Sequence, residues 1–421
     1  MRRPSPLALL LLVAVSCGGN PSPTPSPSTP PVTAPPPPTA SGALCNHPPL
    51  PTPAPAVSPP KLPGSIAAVQ SGVEDVRGLH FTKPVVPESV SQAKIGSLLD
   101  QALDRSYPPD MMARRGLAWR TIGVLPAGAD LRQAIDAFAG SQIIGFYDTL
   151  THQLVFSGSD SPTPYERVTL AHELIHALDD QHFDLRRLDQ LEAACQDERL
   201  AAFVGLAEGD AVVNSFNWAE ANLSAEEITR FQQEAADFPR PAASIPPFVV
   251  NLFQSPYPNG QAFVRSLLAT GGEPAVNRAF ENPPVSTEQI LHPDRYPKDR
   301  PTPVSVPDLA EKLGGPWHDL DIYQVGELWL RLLLELRLPQ ADADAAAAGW
   351  DGGQYRAWTL DDQTAVLLQT VWDSGHEADQ FAAAMRRWIH DAPAEVVQRG
   401  DFVEVLFGSD RQALRDLDSA T

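Results

Sequence analysis

Two histidines four residues apart, His172 and His176, stand with an acid in the run His172-Glu173-Leu174-Ile175-His176. On a helix, positions i and i+4 project from the same face about one turn apart. Both imidazoles can then reach one Zn2+ at about 2.0–2.1 Å. Glu173 is turned by about 100° around the axis. It cannot easily join the same inner shell, but it can take a proton from a water beside the ion. That combination suits hydrolysis of a polarised carbonyl. The flanking residues Leu170, Ala171, Leu174, Ile175 and Leu178 are apolar. A helix that is apolar on most faces is buried, and its polar groups then need partners, which a metal ion supplies at once.

A hydrolytic zinc site usually has a third protein ligand. Two candidates compete. Glu208 lies inside the apolar run Leu200 to Val213, where an isolated carboxylate is costly unless it is paired or bound to metal. Gly205 and Gly209 flank it and allow another helix to approach closely, and Asp210 is placed to orient a ligand histidine. His182, six residues after His176, is the rival, with Asp179 where a turn glycine would suit that geometry. Glu208 is preferred. An electrophilic helper for the reacting oxygen is sought among His292, Tyr296, Tyr257 and Tyr323, with His292 and Tyr296 the first choices.

Clear signals place the helix that carries the pair. Thr163 is a candidate N-cap, Pro164 sits at the first helical position and Glu166 completes a capping box. The predicted span is Pro164 to Asp180. A hairpin precedes it, with strands at 143–147 and 154–156 around a turn at 148–152. An apolar helix is expected from Asp197 to about Asn214, a charged one from Ser224 to Asp237, and others over Tyr323–Leu336 and Ala378–Ile389. Gly349 to Gly353 marks a turn before a strand.

The stretch from Ala171 to Asp184, followed by Ala207-Glu208-Gly209-Asp210-Ala211, resembles a group of bacterial secreted zincin-like metallopeptidases with the gluzincin arrangement. Gly145-Phe146-Tyr147-Asp148 and Ser286-Thr287-Glu288-Gln289-Ile290-Leu291-His292-Pro293 also look similar to that group. The resemblance covers roughly residues 140–300. It implies His172, His176 and Glu208 as zinc ligands, Glu173 as general base, and an open strand edge in the hairpin to which a peptide could add. The fold expected is α+β and zincin-like: a small sheet, the active helix and a ligand helix over 64–220, and a mostly helical half over 221–421. The cleft is expected between the halves. The function expected is zinc-dependent hydrolysis of peptide bonds in a peptide or protein substrate. Alternatives are a non-catalytic scaffold that binds a surface ligand and a zinc amidase acting on cell-wall fragments.

The wider sequence bears on location. Arg2-Arg3 and the short apolar run Leu7 to Val15 read as an export signal over residues 1–16. Ala14-Val15-Ser16-Cys17 resembles a bacterial lipobox, which implies a lipid on Cys17 and a membrane anchor on the outer face, or secretion without it. Residues 17–63 form a Pro/Ser/Thr-rich stalk; 18 of the chain's 44 prolines fall in residues 18–63. Cys45 and Cys195 remain, either as a disulfide or as two thiols. A net charge of -21 leaves no basic footprint for nucleic acid. No later segment reaches the length of apolar chain that a membrane span needs.

Overall fold

The computed structural model describes residues 44–45, 62, 64–158 and 161–421. The signal, Cys17 and nearly all of the stalk lie outside the described residues. In chain order the elements are α1 (Gly64–Arg77), β1 (Pro87–Val90), α2 (Gln92–Ser106), α3 (Pro109–Ile122), α4 (Leu131–Gln142), β2 (Gly145–Asp148) and β3 (Gln153–Ser157). Then come α5 (Pro164–Phe183), α6 (Arg186–Ala193), α7 (Asp197–Asn222), α8 (Ala225–Ala236), α9 (Pro247–Gln254), α10 (Pro256–Glu281) and α11 (Thr287–Leu291). The remainder is β4 (His318–Gln324), α12 (Glu327–Glu335), α13 (Gln340–Ala347), β5 (Trp350–Leu360), β6 (Gln363–Trp372), α14 (Gly375–Ile389), β7 (Ala394–Arg399), β8 (Phe402–Gly408) and α15 (Arg411–Ala420). The fold is α+β.

The first sheet has the order β1-β3-β2, with β1 parallel and β2 antiparallel to β3. β2 is therefore an edge strand. Helix α5 packs below it. Its start follows the capping box: the Thr163 side chain accepts from the Glu166 amide, and Glu166 returns a bond to the Thr163 amide. It ends at Asp184 in the left-handed conformation, one turn later than the sequence suggested. Leu170, Ala171, Leu174, Ile175, Ala177 and Leu178 are fully buried along it, so burial on all sides fixes how the helix is rotated.

α7 extends well past the expected Asn214 and crosses α10 at close range. Three glycines make the crossing. A methyl group on Gly209 would lie 2.2 Å from the Gly260 carbonyl, and one on Gly260 would lie 1.9 Å from the Gly205 oxygen. No side chain fits there, so the backbones touch. A cluster of buried charge lies behind this crossing. Arg77 of α1 is fully buried; its Nε is 2.8 Å from Asp210 and 3.2 Å from Asp179, and its Nη1 reaches Glu273 at 2.9 Å. Cys45 and Cys195 form a disulfide, which fastens this point of the Pro-rich segment at the entry to α7.

The second half departs from the expectation of mostly helix. Residues 318–408 carry a five-stranded antiparallel sheet of order β4-β5-β6-β8-β7. The predicted helix at Tyr323–Leu336 starts only at Glu327, because Tyr323 belongs to β4. The strand expected after Gly349–Gly353 begins inside that run, at Trp350. The physical reason is coverage of both faces. Ala365, Val366, Leu367 and Leu368 are consecutive and all buried, so the alternation that betrays a half-exposed strand is missing. Among the described residues, no helix is long and apolar enough to cross a membrane.

The helix crossing yields a direct test. Gly209→Ala should lower stability by about 1–3 kcal/mol, because a backbone contact cannot move aside as a side chain would. Urea unfolding of the substituted protein measures it, and an unchanged midpoint would mean the helices separate freely.

Candidate metal centre

α5 presents His172 and His176 on one face, and α7 presents Glu208 opposite them. The two Nε2 atoms lie 3.1 Å apart, His172 Nε2 is 3.1 Å from a Glu208 carboxylate oxygen, and His176 Nε2 is 3.6 Å from it. All three are partly buried, and they form the one His/Cys/Asp/Glu group among the described residues whose ligating atoms converge in this way. Ligand atoms bound at about 2.0–2.1 Å around a tetrahedral ion sit roughly 3.3 Å from one another. The observed triangle has that size, so these residues fit a zinc ion.

The electrostatics follow from burial and proximity. Burial opposes charge on Glu208, but the imidazoles of His176 and His172 outweigh it and hold the carboxyl well below its usual range. Burial likewise opposes a proton on His176, yet Glu208, Glu173 and Asp179 raise it to about 9. Glu173 is nearly fully buried at the start of the first-sheet edge; desolvation pushes its pKa upward, against the pull of His172 and His176. A carboxylate raised in this way is a stronger base than one in water. The Tyr147 backbone N–H donates to it.

The remaining sequence candidates fall into different places. His182 lies in the last turn of α5, where its Nε2 bonds the His80 carbonyl oxygen at 2.9 Å. Asp210 does not orient a ligand histidine; it accepts from Arg77 and Asn214. His292 pairs with Glu327 at 2.9 Å, where α11 meets α12, and that bond raises its pKa. Tyr296 packs edge-on against Phe263 and donates to the Asn282 carbonyl. Both first choices for the helper role are therefore corrected: each has a structural partner, and neither lines the cavity beside the histidines. Tyr323 stacks on Tyr355 in the core of the second half.

Tyr257 takes their place. Its ring stacks near His172, with centroids 6.1 Å apart. The neighbouring Glu208 charge, then burial, then Glu173 raise its pKa far above the usual phenol value, so it keeps its proton. It sits on α10 one turn before Gly260, so the glycine crossing that brings α7 against α10 also delivers this hydroxyl. The one sequence signal was its spacing from Gly260, which acquires meaning only when Gly260 is known to meet Gly205 and Gly209.

A cavity of about 210 Å³ opens beside His172 and Glu173. Phe138, Val168, Val212, Phe216, Phe231 and Phe253 give it an apolar wall, and Ile144 and Gly145 bring the edge strand to its rim. Phe231, Phe253 and Tyr257 belong to residues 221–421 and the other named residues to 64–220, so both halves line this chamber. A second cavity of about 300 Å³ adjoins it across Val212, Phe216, Gln254 and Tyr257, and reaches Arg331 and Glu335 of the second half.

Zinc binding should depend on pH with a definite sign. His176 keeps its proton up to about pH 9 in the ion-free protein, and an incoming ion must displace it. Apparent affinity should rise roughly tenfold per pH unit below that value and level off above it. Competition with a chelator across pH 6.5 to 9.5 measures the slope. In the same assay Glu208→Ala should lose the ion and His182→Ala should retain it.

Comparison with known proteins adds little to the site. A family model described as a domain of unknown function (DUF8575) matches residues 318–416, which is the second sheet with its helices. No curated protein matches the chain. A crystal structure from Chloroflexus aurantiacus, described as a candidate hydrolase with a novel fold, is 18% identical with a TM-score of 0.36, over 55% of this chain and 86% of that one.

Proposed function

We propose that this chain is a zinc-dependent hydrolase that cuts peptide bonds, with a zincin-like first half. The observation that carries the reading is the triangle of His172, His176 and Glu208, sized for one tetrahedral ion, with a buried carboxylate one residue from the first ligand. A bound zinc ion would polarise the scissile carbonyl and acidify the attacking water. Glu173 accepts the proton of that water and returns it to the leaving nitrogen, a dual use for which its raised pKa is suited. Tyr257 remains protonated and donates to the oxygen on which negative charge develops. The imidazoles of His172 and His176 and the carboxylate of Glu208 are the proposed ligands.

The edge of β2 favours a peptide over a compact substrate. Ile144 bonds Ser157 across to β3, so by alternation the backbone groups of Gly145 and Tyr147 point away from β3. Tyr147 spends its N–H on Glu173, and Gly145 remains at the cavity rim for an added strand. The apolar wall beside it selects a bulky apolar side chain next to the scissile bond. Export and lipidation at Cys17 are part of the same proposal, resting on the leader sequence alone.

Three comparisons test this. The zinc-loaded protein should cleave a peptide library, and Glu173→Gln should lower kcat by about 10²- to 10⁴-fold while the zinc stays bound. Tyr257→Phe should lower kcat by about 10²-fold with little change in KM. Peptides with Phe or Leu beside the cut should be preferred to Gly or Asp. Zinc-free protein with all three ligands intact, or full turnover by the glutamine variant, would end the reading.

A further inference from the structure

Tyr147 touches α5 at two points. Its backbone N–H reaches Glu173, and its hydroxyl donates to the Asp180 carboxylate at 2.7 Å, two turns further along the same helix. His152, from the β2–β3 turn, closes the triangle: its Nδ1 is 3.0 Å from the same Asp180 oxygen and 3.0 Å from the Tyr147 hydroxyl oxygen. The phenol proton goes to Asp180, so Nδ1 must carry the hydrogen that it shares between the two oxygens. The other Asp180 oxygen accepts the Leu185 amide, which leaves that carboxylate firmly held.

The turn is strained to make this contact. His152 adopts φ 56°, a left-handed backbone that a histidine enters at some cost. Its side chain is 44% exposed, so burial does not explain why it is bent back onto Asp180. Asp148 supports the same turn through the Leu150 and Thr151 amides. A turn needing only left-handed backbone would be served as well by glycine.

We propose that Tyr147, His152 and Asp180 are positioning residues that latch the edge strand to α5 and so hold the Tyr147 N–H on Glu173. This rests on the hydrolase reading for its effect on turnover, because Glu173 is there the base. The latch fixes the base from the edge strand. It acts on Glu173 and on the register of the substrate-facing edge, and it does not touch the three ligand side chains.

The test uses the full chain with two readouts. In Tyr147→Phe, which keeps the ring and removes the hydroxyl, the Tyr147 amide should exchange with deuterium at least tenfold faster, with or without zinc. Zinc affinity should stay within about threefold, kcat should fall about 10- to 100-fold, and KM should change little. His152→Gly separates a latch from a mere turn: it relieves the backbone, so it should leave stability equal or higher, yet lower kcat as the phenylalanine does. His152→Asn tolerates the same backbone and puts a donor near the Nδ1 position, so it should restore turnover. Should the phenylalanine variant not fold, the glycine and asparagine variants carry the test. Unchanged amide exchange, or full turnover in His152→Gly, overturns the latch. If the parent protein cleaves no peptide, the hydrolase reading fails instead, and amide exchange alone decides the latch.

Discussion

The close crossing of α7 and α10 is the constraint on which the site depends. Two helix backbones touch only where Gly205, Gly209 and Gly260 leave room. Glu208 lies between the first two, so its carboxylate enters the site at a height set by the crossing. Tyr257 lies one turn before the third, so its ring enters from the other helix at a matching height. Both groups face a helix, α5, that is rotationally locked by its apolar neighbours. Site chemistry of this kind tolerates displacements well under an ångström, and rigid helices meet that demand better than loops.

A single guanidinium braces the same helices from behind. Arg77 reaches Asp179 on α5, one turn after His176, Asp210 on α7, two residues after Glu208, and Glu273 on α10. The rings of Phe183 and Phe280 lie within 6 Å of its carbon centre, so the cluster is dry on that side. Burial and the neighbouring Asp210 charge push Asp179 toward the neutral form, while the surrounding carboxylates keep Arg77 firmly charged against its own burial. Removing any one member would strand a buried charge, which is far costlier than never having had the pair. Helix α1 is thereby built into the body of the site rather than lying across it.

The parts legible in the sequence were those with local causes. The capping box at Thr163 and Glu166, the proline at the first helical position and the four-residue histidine spacing all act within a turn or two of chain, and they place α5 and its two histidines. Gly205 and Gly209 also spoke for a close helix neighbour, though not for which one. The illegible parts had causes distant in sequence. His292 and Tyr296 looked available, but Glu327 and Asn282, 35 and 14 residues away, engage them. In β6 the consecutive Ala365 to Leu368 are all buried, so this apolar run carries no period to read. The Tyr147–His152–Asp180 triangle joins a turn to a helix end and leaves no spacing signature.

Charge balance explains how so polar a site is stable inside the protein. Without an ion, the proton held by His176 offsets the charge of Glu208, and desolvation moves Glu173 toward its neutral form. With a divalent cation among the ligands, the two positive charges would offset Glu208 and an ionised Glu173, and the proton on His176 would leave. Either occupant therefore leaves a nearly neutral cluster, and burial of a neutral cluster is inexpensive compared with burial of a net charge. A cation bound there would favour the ionised form of Glu173, in the same direction as the neighbouring His172 and His176. Moving Glu173 one position along α5 would turn it by about 100° away from that field, which is why its place directly after His172 matters as much as its residue type.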